Sequence, residues 1–536
     1  MQPDGVSVRN KHLIKGFRQP AGGLAELDRQ YDCACDLITV GRRKEAETLL
    51  CGILKKYPSH FGALCSLGAI RLEQAQVDEA MQLFRRAASY RPGSAEAHES
   101  LGNALQAMGR HEEAVYSYRR ALNLRPQSLY THNNLANSYM ALGKLAEAVE
   151  CLRQTIALLP GLEAAHSNLG NVLLALGRPE EALAAYQAAL SLNPGLGGLH
   201  NNFGRALVAL NRHEEALRHF VRARDLDPGV TQAPLNVALA RLALGDYAAA
   251  WPDYETRWQS YPGLRTYAQP FWDGCADLAG KTILVYFEQG LGDTMQFARY
   301  VPLVAKRGAR VIFEVPKTLM RLFGSLPGGA TLLEPGGAPP DFDFHAPLLS
   351  LPLAFKTTVA TIPAEVPYLH AAPLKTTATV GLCWAGNPSN PNDGNRSIPL
   401  QELIPLLDVP GARFLSLQRI LREGDQEILP ERENVDLESD SQGADFADTA
   451  RLIAGLDLVI TADTAIAHLA GALGRPTWVL LPFAAHWAWM RDCENSPWYP
   501  TVRLFRQPRS GDWRSVTARV VEALSSRGRN NCRSPW

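Results

Sequence analysis

Residues 92–125 have the sequence PGSAEAHESLGNALQAMGRHEEAVYSYRRALNLR, and this unit of 34 residues recurs along the first half of the chain. The proline that opens the unit returns at a constant step, at Pro58, Pro92, Pro126, Pro160, Pro194, Pro228 and Pro262. A period of 34 residues is typical of arrays in which each repeat is a pair of helices. Because such pairs stack and leave a long groove, the first half is predicted to be a helical solenoid that binds a peptide.

Small residues keep the same step as the prolines. A glycine or alanine follows a large apolar residue at Leu67–Gly68, Leu101–Gly102, Leu135–Ala136, Leu169–Gly170 and Phe203–Gly204. Small side chains let paired helices approach closely, and glycines 109, 143 and 177 are placed to end the first helix of their pairs. These positions predict about seven helix pairs of the tetratricopeptide kind between residues 25 and 262.

Two polar columns share this period. One consists of Asn134, Asn168, Asn202 and Asn236, and the other of His98, His132, His166 and His200. Asparagine is a mediocre helix former, but its amide matches the N–H and C=O of a peptide bond. We therefore expect a ladder that holds the backbone of a protein acceptor; the alternative is that the asparagines only decorate exposed helix faces. The histidines are interpreted as inter-helix packing and not as metal ligands.

Composition narrows the classes of protein. With 536 residues the chain is too long for a single core. Its 54 basic residues balance 54 acidic ones, so nothing predicts a general attraction to nucleic acid or anionic membrane. Nine scattered cysteines without a C-x-x-C pair favour reduced thiols and a cytoplasmic location. We expect neither a secretory signal nor a transmembrane segment, because no apolar stretch is long enough.

The repeat pattern ends between Gly245 and Gly280. Trp251, Tyr254 and Trp258 are spaced by three and four residues, which predicts one aromatic face on a helix. Aromatic side chains bury large areas, so we interpret this face as a seal between the last repeat and the next domain. Residues 263–280 are predicted to be a linker.

From residue 281 the pattern alternates between strands and helices. Short runs rich in β-branched and aromatic residues suit buried parallel strands, at 282–287, 309–316, 379–386, 413–417, 456–463 and 477–483. Two series of this kind predict an α/β head with two Rossmann-like lobes, residues 281–372 and 373–525, and a cleft between them. Tails are expected at 1–24 and 526–536.

Two loops of the head carry the chemistry. Gly290–Asp293 follows the first strand, where the glycines permit a tight turn and Asp293 can accept a proton from a hydroxyl. Asp463–His468 follows a later strand and opens a helix, whose N-terminus attracts anions. Asp293, Asp463 and Thr464 are equally suited to cap their helices without binding a ligand. The occurrence of both loops at corresponding places in two lobes favours a shared site.

These motifs resemble a known family. GLGD (290–293), NRSIPL (395–400) and DTAIAHLAGALGRP (463–476) are similar to motifs of the family 9 glycosyltransferases, the heptosyltransferase group. With the repeats, nearly the whole chain resembles bacterial tetratricopeptide–glycosyltransferase fusions, some of which modify flagellin. The asparagine column is similar to that of the O-GlcNAc transferase repeats. The resemblance implies a GT-B fold of two Rossmann-like lobes.

The resemblance also implies roles for individual residues. Asp293 corresponds to the proposed catalytic base, beside Gly292, and Arg396 to a contact of the donor phosphate. The residues that correspond to the loop holding the sugar and phosphates are Asp463, Thr464, Ala465 and His468. Ala465 stands where the family has glycine, so the identity of the donor does not carry over. Gln418, after the strand 413–417, is a further candidate for contact with the base or ribose.

We therefore expect a glycosyltransferase that moves a sugar from a nucleotide-sugar to a Ser or Thr hydroxyl of a protein held by the repeats, with flagellin as one candidate acceptor. No D-x-D motif lies in the cleft loops, so neither a metal nor a cofactor is expected; inversion is implied by the resemblance alone. The alternatives are a non-catalytic scaffold with a degenerate head, and a transferase for a lipid-linked or polysaccharide acceptor. A homo-oligomer is compatible with the sequence.

Overall fold

The computed structural model describes residues 25–259, 265–390, 392–429, 432–437 and 445–530. The chain forms two compact units, one up to Asn202 and one from Phe203 onward. Pro262, the predicted N-terminal tail and residues 531–536 lie outside the described residues.

Within residues 25–254 the helices come in seven consecutive pairs. Their bounds are α1 Ala25–Thr39, α2 Arg43–Lys56, α3 Phe61–Glu73, α4 Val77–Tyr90, α5 Ala95–Ala107, α6 His111–Leu124, α7 Leu129–Ala141, α8 Leu145–Leu158, α9 Glu163–Ala175, α10 Pro179–Leu192, α11 Gly197–Ala209, α12 His213–Leu226, α13 Ala233–Ala243 and α14 Tyr247–Tyr254. The predicted tetratricopeptide solenoid is confirmed. The division between the two compact units falls inside α11, so α12 to α14 belong to the same unit as the head.

An aromatic ring from the second helix of a pair covers the small residue of the first. A Cβ placed on Gly102 would lie 2.6 Å from Tyr118, and one on Gly170 would lie 2.5 Å from Tyr186. Real Cβ atoms do not approach a ring this closely, because the atoms would overlap. The glycine therefore sets the helix–helix distance in these pairs, and both tyrosines are fully buried.

The turn inside each pair uses a left-handed backbone. The residues at this step have φ between 58° and 82°, and they are Gly41, Ala75, Gly109, Gly143, Gly177, Asn211 and Gly245. A left-handed residue just after a helix closes its last turn, and glycine adopts this conformation without a steric penalty. Ala75 adopts it with a Cβ, which is unfavourable.

The second unit contains two sheets in which the registered strand pairs are all parallel. One sheet has the order β3-β2-β1-β4 and the other β10-β9-β8-β5-β6-β7. The strands are β1 Thr282–Tyr286, β2 Arg310–Glu314, β3 Thr331–Leu333, β4 Phe344–Pro347, β5 Val380–Cys383, β6 Phe414–Ser416, β7 Val435–Leu437, β8 Leu458–Ala462, β9 Thr477–Leu481 and β10 Val502–Arg506. The predicted α/β head is confirmed.

Four strands were not predicted from the sequence. β3 and β7 have only three residues and are half-exposed, so they lack the long apolar run of a central strand. β4 contains His345 and ends in Pro347, and β10 alternates two arginines with apolar residues. These strands lie at or near sheet edges, where one side of the strand carries no neighbour and a polar sequence is tolerated.

Short helices surround the sheets. They are α15 Leu291–Phe297, α16 Val301–Ala305, α17 Met320–Phe323, α18 Leu351–Ala354, α19 Asp393–Arg396, α20 Ile404–Leu407, α21 Asp425–Ile428, α22 Phe446–Ala454, α23 Ala465–Ala472 and α24 Trp513–Asn530. Between α15 and α16 the helical run is interrupted by a 3-10 turn at Ala298–Tyr300, since Pro302 cannot donate a backbone hydrogen bond. The C-terminal tail was expected from residue 526, but α24 continues to Asn530. None of the described helices is both long and apolar enough to cross a membrane.

The aromatic face after the last repeat divides between two cores. Trp251 and Tyr254, on α14, are buried in the main core of the second unit. Trp258 lies in a 3-10 turn, Glu255–Gln259, and packs beside Tyr286 in a separate cluster. The prediction of a single helical face was therefore wrong for Trp258, because α14 ends at Tyr254 and the tighter turn redirects the following side chains.

Candidate functional site

Asp293 stands in the first turn of α15, directly after the turn that follows β1. Gly290 caps this helix with extended backbone, and its carbonyl accepts hydrogen bonds from both the amide and the hydroxyl of Thr294. Burial raises the pKa of the Asp293 carboxyl, and the nearby Asp463 raises it further, while His486 and the Gly290 backbone act in the opposite direction. A carboxylate with a raised pKa is a better proton acceptor near neutral pH.

Thr464 caps α23 on the second sheet. Its hydroxyl accepts a hydrogen bond from the Ile466 amide at 3.2 Å and lies 3.2 Å from the hydroxyl of Thr461. In this structure the Thr464 hydroxyl therefore acts as a helix cap. A phosphate at the helix N-terminus would have to replace that bond or use neighbouring amides.

The two loops lie against each other. A Cβ placed on Gly292 would lie 3.0 Å from Cδ2 of His468, 3.6 Å from its Nε2 and 3.7 Å from the Cα of Ala465. Gly292 and Asp293 lie on α15, which follows β1 of the first sheet. Ala465 and His468 lie on α23, which follows β8 of the second sheet. Because position 292 has no side chain, the loop that carries Asp293 can lie next to the N-terminus of α23.

His468 is held by aromatic neighbours. Its Nδ1 lies 3.1 Å from the hydroxyl of Tyr499, and its ring stacks on Trp489 with the centroids 5.2 Å apart. The indole N–H of Trp489 donates a 2.8 Å hydrogen bond to Asp463. Burial lowers the pKa of His468 to about 3, and His486 and two arginines nearby add to that shift. The imidazole is therefore neutral at physiological pH.

Arg396 has one side-chain donor that the described residues leave unused. Its Nε is buried and has no hydrogen-bond partner among the described residues. The guanidinium lies beside Gly386, where a Cβ would be 2.9 Å from one terminal nitrogen. It also lowers the pKa of His468, so its charge is felt at that ring. The Nε of Arg422 also has no partner among the described residues, but one of its terminal nitrogens donates to Asp393 and Ser397.

Gln418 holds the end of β5. Its Oε1 accepts hydrogen bonds from the amides of Trp384 at 3.2 Å and Ala385 at 2.9 Å, and its Nε2 donates to the Ile420 carbonyl at 3.1 Å. Both ends of the side-chain amide are used inside the protein. A contact with the base or ribose of a donor stays a prediction, and it would compete with these bonds.

Three residues of this site were not predicted: His486, Trp489 and Tyr499. His486 is exposed, begins the turn that carries Trp489, and influences the pKa of both Asp293 and His468. Their only signal in the sequence is aromatic density in HWAW (486–489) and SPWYP (496–500), which is equally typical of a core.

The asparagine column makes hydrogen bonds from repeat to repeat. Within the first unit the side-chain nitrogens of three members donate to asparagine oxygens 31 or 35 residues earlier, in the pairs Asn134–Asn103 at 2.8 Å, Asn168–Asn133 at 3.1 Å and Asn202–Asn171 at 3.1 Å. Asn236, in the second unit, is half-buried. These amides are thus oriented by asparagines of the preceding repeat, and the ladder as a peptide-binding device stays a prediction.

The histidine column contacts the turns between repeats. In each member the Nε2 atom lies 2.8–3.1 Å from the carbonyl of the proline six residues earlier, in the pairs His98–Pro92, His132–Pro126, His166–Pro160 and His200–Pro194. The ring thus fastens its own inter-repeat turn, and its role in inter-helix packing stays a prediction. Across the described ranges no three His, Cys, Asp or Glu side chains gather as a metal site.

Comparison with known proteins agrees with the two-part architecture. Tetratricopeptide-repeat families match residues 31–91 and 133–196, 102–143, and 71–116 and 173–230. The glycosyltransferase family 9 (heptosyltransferase) matches residues 444–481. That match contains α22, β8, the Asp463–His468 loop, α23 and β9.

A curated relative is Protein FlbA of Caulobacter vibrioides, 29% identical over 330 residues, which are 53% of this chain and 53% of the relative. The chain thus spans about half the length of the curated relative it matches. Solved structures of MamA (21% identity, 31% of this chain and 92% of that one, TM-score 0.30) and of Pseudomonas aeruginosa pilF (21%, 38% and 92%, 0.34) are similar to parts of it. Together the family matches and FlbA fit a fusion of tetratricopeptide repeats with a family 9 glycosyltransferase-like domain.

Proposed function

We propose that the chain is a GT-B glycosyltransferase that moves a sugar from a nucleotide-sugar to a hydroxyl of a protein acceptor. The observation that carries the proposal is the approach of Gly292 to His468 and Ala465, since it brings the half-buried carboxylate of the first loop close to the helix N-terminus of the second. Such an arrangement offers a proton acceptor and an anion site to one small substrate.

Arg396 is the proposed partner of the donor phosphates. Arginine forms strong charge-assisted bonds to phosphate oxygens, and in the described part of the chain the Nε of Arg396 has no partner. The neutral His468, with one nitrogen engaged by Tyr499, can donate or accept a single further hydrogen bond without adding charge. Asp463 holds Trp489, which in turn holds the His468 ring, so we assign Asp463 an orienting role.

Asp293 is the proposed base. In the reaction the acceptor oxygen forms a bond to the anomeric carbon, the bond from that carbon to the nucleotide phosphate breaks, and the hydroxyl proton passes to the carboxylate. The leaving phosphate keeps the electron pair, and preorganised positive groups such as Arg396 stabilise its charge. The proposal includes no metal or cofactor, and inversion at the sugar carbon follows from a single displacement.

The repeats are the proposed binding surface for the acceptor. Three of the half-buried asparagines are already oriented by hydrogen bonds to asparagines of the preceding repeat, and each amide oxygen retains acceptor capacity for a backbone N–H. Flagellin is one candidate acceptor, and the cytoplasm is the proposed compartment. Changing Asn168 and Asn202 to Ala should weaken acceptor capture while donor hydrolysis is retained; equal acceptor affinity would end the ladder hypothesis.

The proposal is tested with the purified full chain. Nucleotide-sugars are screened for hydrolysis and binding by calorimetry, and surface proteins from cells with and without the gene are compared by intact mass, flagellin first. Asp293→Asn should lower turnover at least about 100-fold and leave donor binding intact. Binding without hydrolysis or transfer of any donor would favour the scaffold, and unchanged turnover of Asp293→Asn would exclude this base.

A further inference from the structure

Arg257 is a fully buried cation in the 3-10 turn that follows the last repeat helix. Its Nε and one terminal nitrogen donate to the two carboxylate oxygens of Glu288 at 2.8 and 2.9 Å. The guanidinium also donates to Glu255 at 2.6 Å, to the Tyr254 carbonyl at 3.2 Å and to the hydroxyl of Ser350 at 2.7 Å, which itself donates to Glu255 at 2.8 Å. The guanidinium is thus satisfied from several sides by charged or polar groups.

This cluster lies where an α/β sheet ordinarily binds a ligand. Glu288 follows β1 and Ser350 follows β4, and these two strands are neighbours. In the order β3-β2-β1-β4, β2 and β3 are added on one side of β1, and β4 is then added on the other side. β1 and β4 therefore flank the switch point. The crevice outside the carboxyl ends of such strands is the usual ligand site. Here Arg257, which comes from the end of the repeats, occupies it.

The loop that Arg257 holds is the one that carries Asp293. Glu288 is five residues before Asp293 in the same connection, and its carboxylate also accepts the Leu349 amide at 2.9 Å. The Tyr254 ring, at the end of α14, lies 4.9 Å from the Arg257 guanidinium. Burial raises the pKa of Tyr254, Arg257 lowers it, and the Asp293 and Glu288 carboxylates raise it again. Tyr254 is therefore close to the candidate base.

We propose that Arg257 is a positioning residue that holds the Gly290–Asp293 loop from the repeat side, so that the last helix pair forms part of the acceptor wall. The inference rests on the proposed function. A two-pronged bond to Glu288 fixes the angle of the loop as well as its distance. A lysine keeps the charge but lacks the planar fork that reaches Glu288, Glu255 and Ser350 together. Displacement of a base by about 1 Å costs on the order of 100-fold in rate.

The experiment compares full-length Arg257→Lys and Glu288→Gln with the wild type. We expect kcat for transfer to fall about 100-fold while the donor KM changes less than about threefold. Because burial holds the Asp293 pKa up, a loosened loop should also move the acid limb of the kcat–pH profile to lower pH. Arg241→Lys is the matched control, since Arg241 pairs with Asp253 at 2.7 Å in the same helix pair without contacting the Glu288 loop.

Hydrogen exchange of the peptide 287–297 is measured in the same proteins, because it needs no turnover. Faster exchange confined to this peptide in Arg257→Lys, but not in Arg241→Lys, supports the proposal even if the wild type transfers no sugar. Exchange of this peptide at the wild-type rate in Arg257→Lys overturns the proposal. An unchanged kcat and pH profile in Arg257→Lys overturns it as well. A uniform gain in exchange throughout the chain also overturns it, because it shows only a role in global stability.

Discussion

The indole N–H of Trp489 donates a 2.8 Å hydrogen bond to Asp463, and the same indole stacks on His468. One side chain thus joins the acid that opens the second loop to the histidine that ends it. The side chains of Asp463 and His468 are therefore oriented together, through a tryptophan that lies more than 20 residues away in sequence.

Trp489→Phe should keep most of the stacking and remove the hydrogen-bond donor. Asp463 would then lose a partner while it remains enclosed, and the free energy of unfolding should fall by about 1–3 kcal/mol. Urea denaturation monitors this change. Trp478→Phe is a comparison at a buried tryptophan in β9; a loss no larger at 489 than at 478 would contradict the importance of the bond.

Gly292→Ala should disrupt the approach of the two loops. The added Cβ would lie 3.0 Å from His468, whose ring cannot yield because Tyr499 and Trp489 hold it. We expect donor binding to weaken at least about tenfold, together with a loss of about 1–3 kcal/mol in stability. Calorimetric titration measures the binding. Gly52→Ala, where the new methyl meets nothing within 4 Å, is the control.

Gly170→Ala should destabilise the repeats by about 1–3 kcal/mol, since its Cβ would lie 2.5 Å from Tyr186. The equivalent positions in the preceding pair are Ala136 and Leu152, both buried. Addition of Tyr186→Leu should therefore recover part of the loss. Thermal unfolding of the single and double variants checks this. A double variant that is less stable than the sum of the two single effects predicts would exclude the compensation.

Ala75→Gly should stabilise the first unit by about 1 kcal/mol. Ala75 has φ 60° in the turn where five of the other repeats use glycine. Glycine relieves the steric strain of the left-handed backbone, and the turn is otherwise unchanged. The midpoint of chemical denaturation reports the gain, and Gly109→Ala should move it in the opposite direction.

Stability should fall as the pH drops below about 6.5. Burial lowers the pKa of His213 to about 4, with Arg491 next in effect, so between about pH 6.5 and 4 the unfolded chain binds a proton that the native state does not. The contribution is fully present above pH 6.5, and up to about 3 kcal/mol is lost toward pH 4. His213→Gln should flatten this part of the unfolding free energy–pH curve; an unchanged slope would assign the effect to other groups.

The repeats could be predicted in detail because their information is local and repeated. Each 34-residue unit carries its own turn residue, small residue and proline, and each helix pair packs chiefly against sequence neighbours. Gly102 and Tyr118 illustrate this, since they meet within one 34-residue repeat. The asparagine column was visible in the sequence, but its hydrogen bonds were not, because the partner Asn103 lies in the preceding repeat.

In the head, the sequence by itself determined the buried strands and the two loops that follow them, since apolar runs and glycine turns are local signals. Only the tertiary structure decided that Gly292 meets His468, that the Nε of Arg396 has no partner among the described residues, and that Arg257 fills the crevice beside β1 and β4. These relationships join side chains that are 30 to 180 residues apart. Their geometry depends on how two sheets and a helix pair bury their apolar faces together, and no short stretch of sequence records that packing.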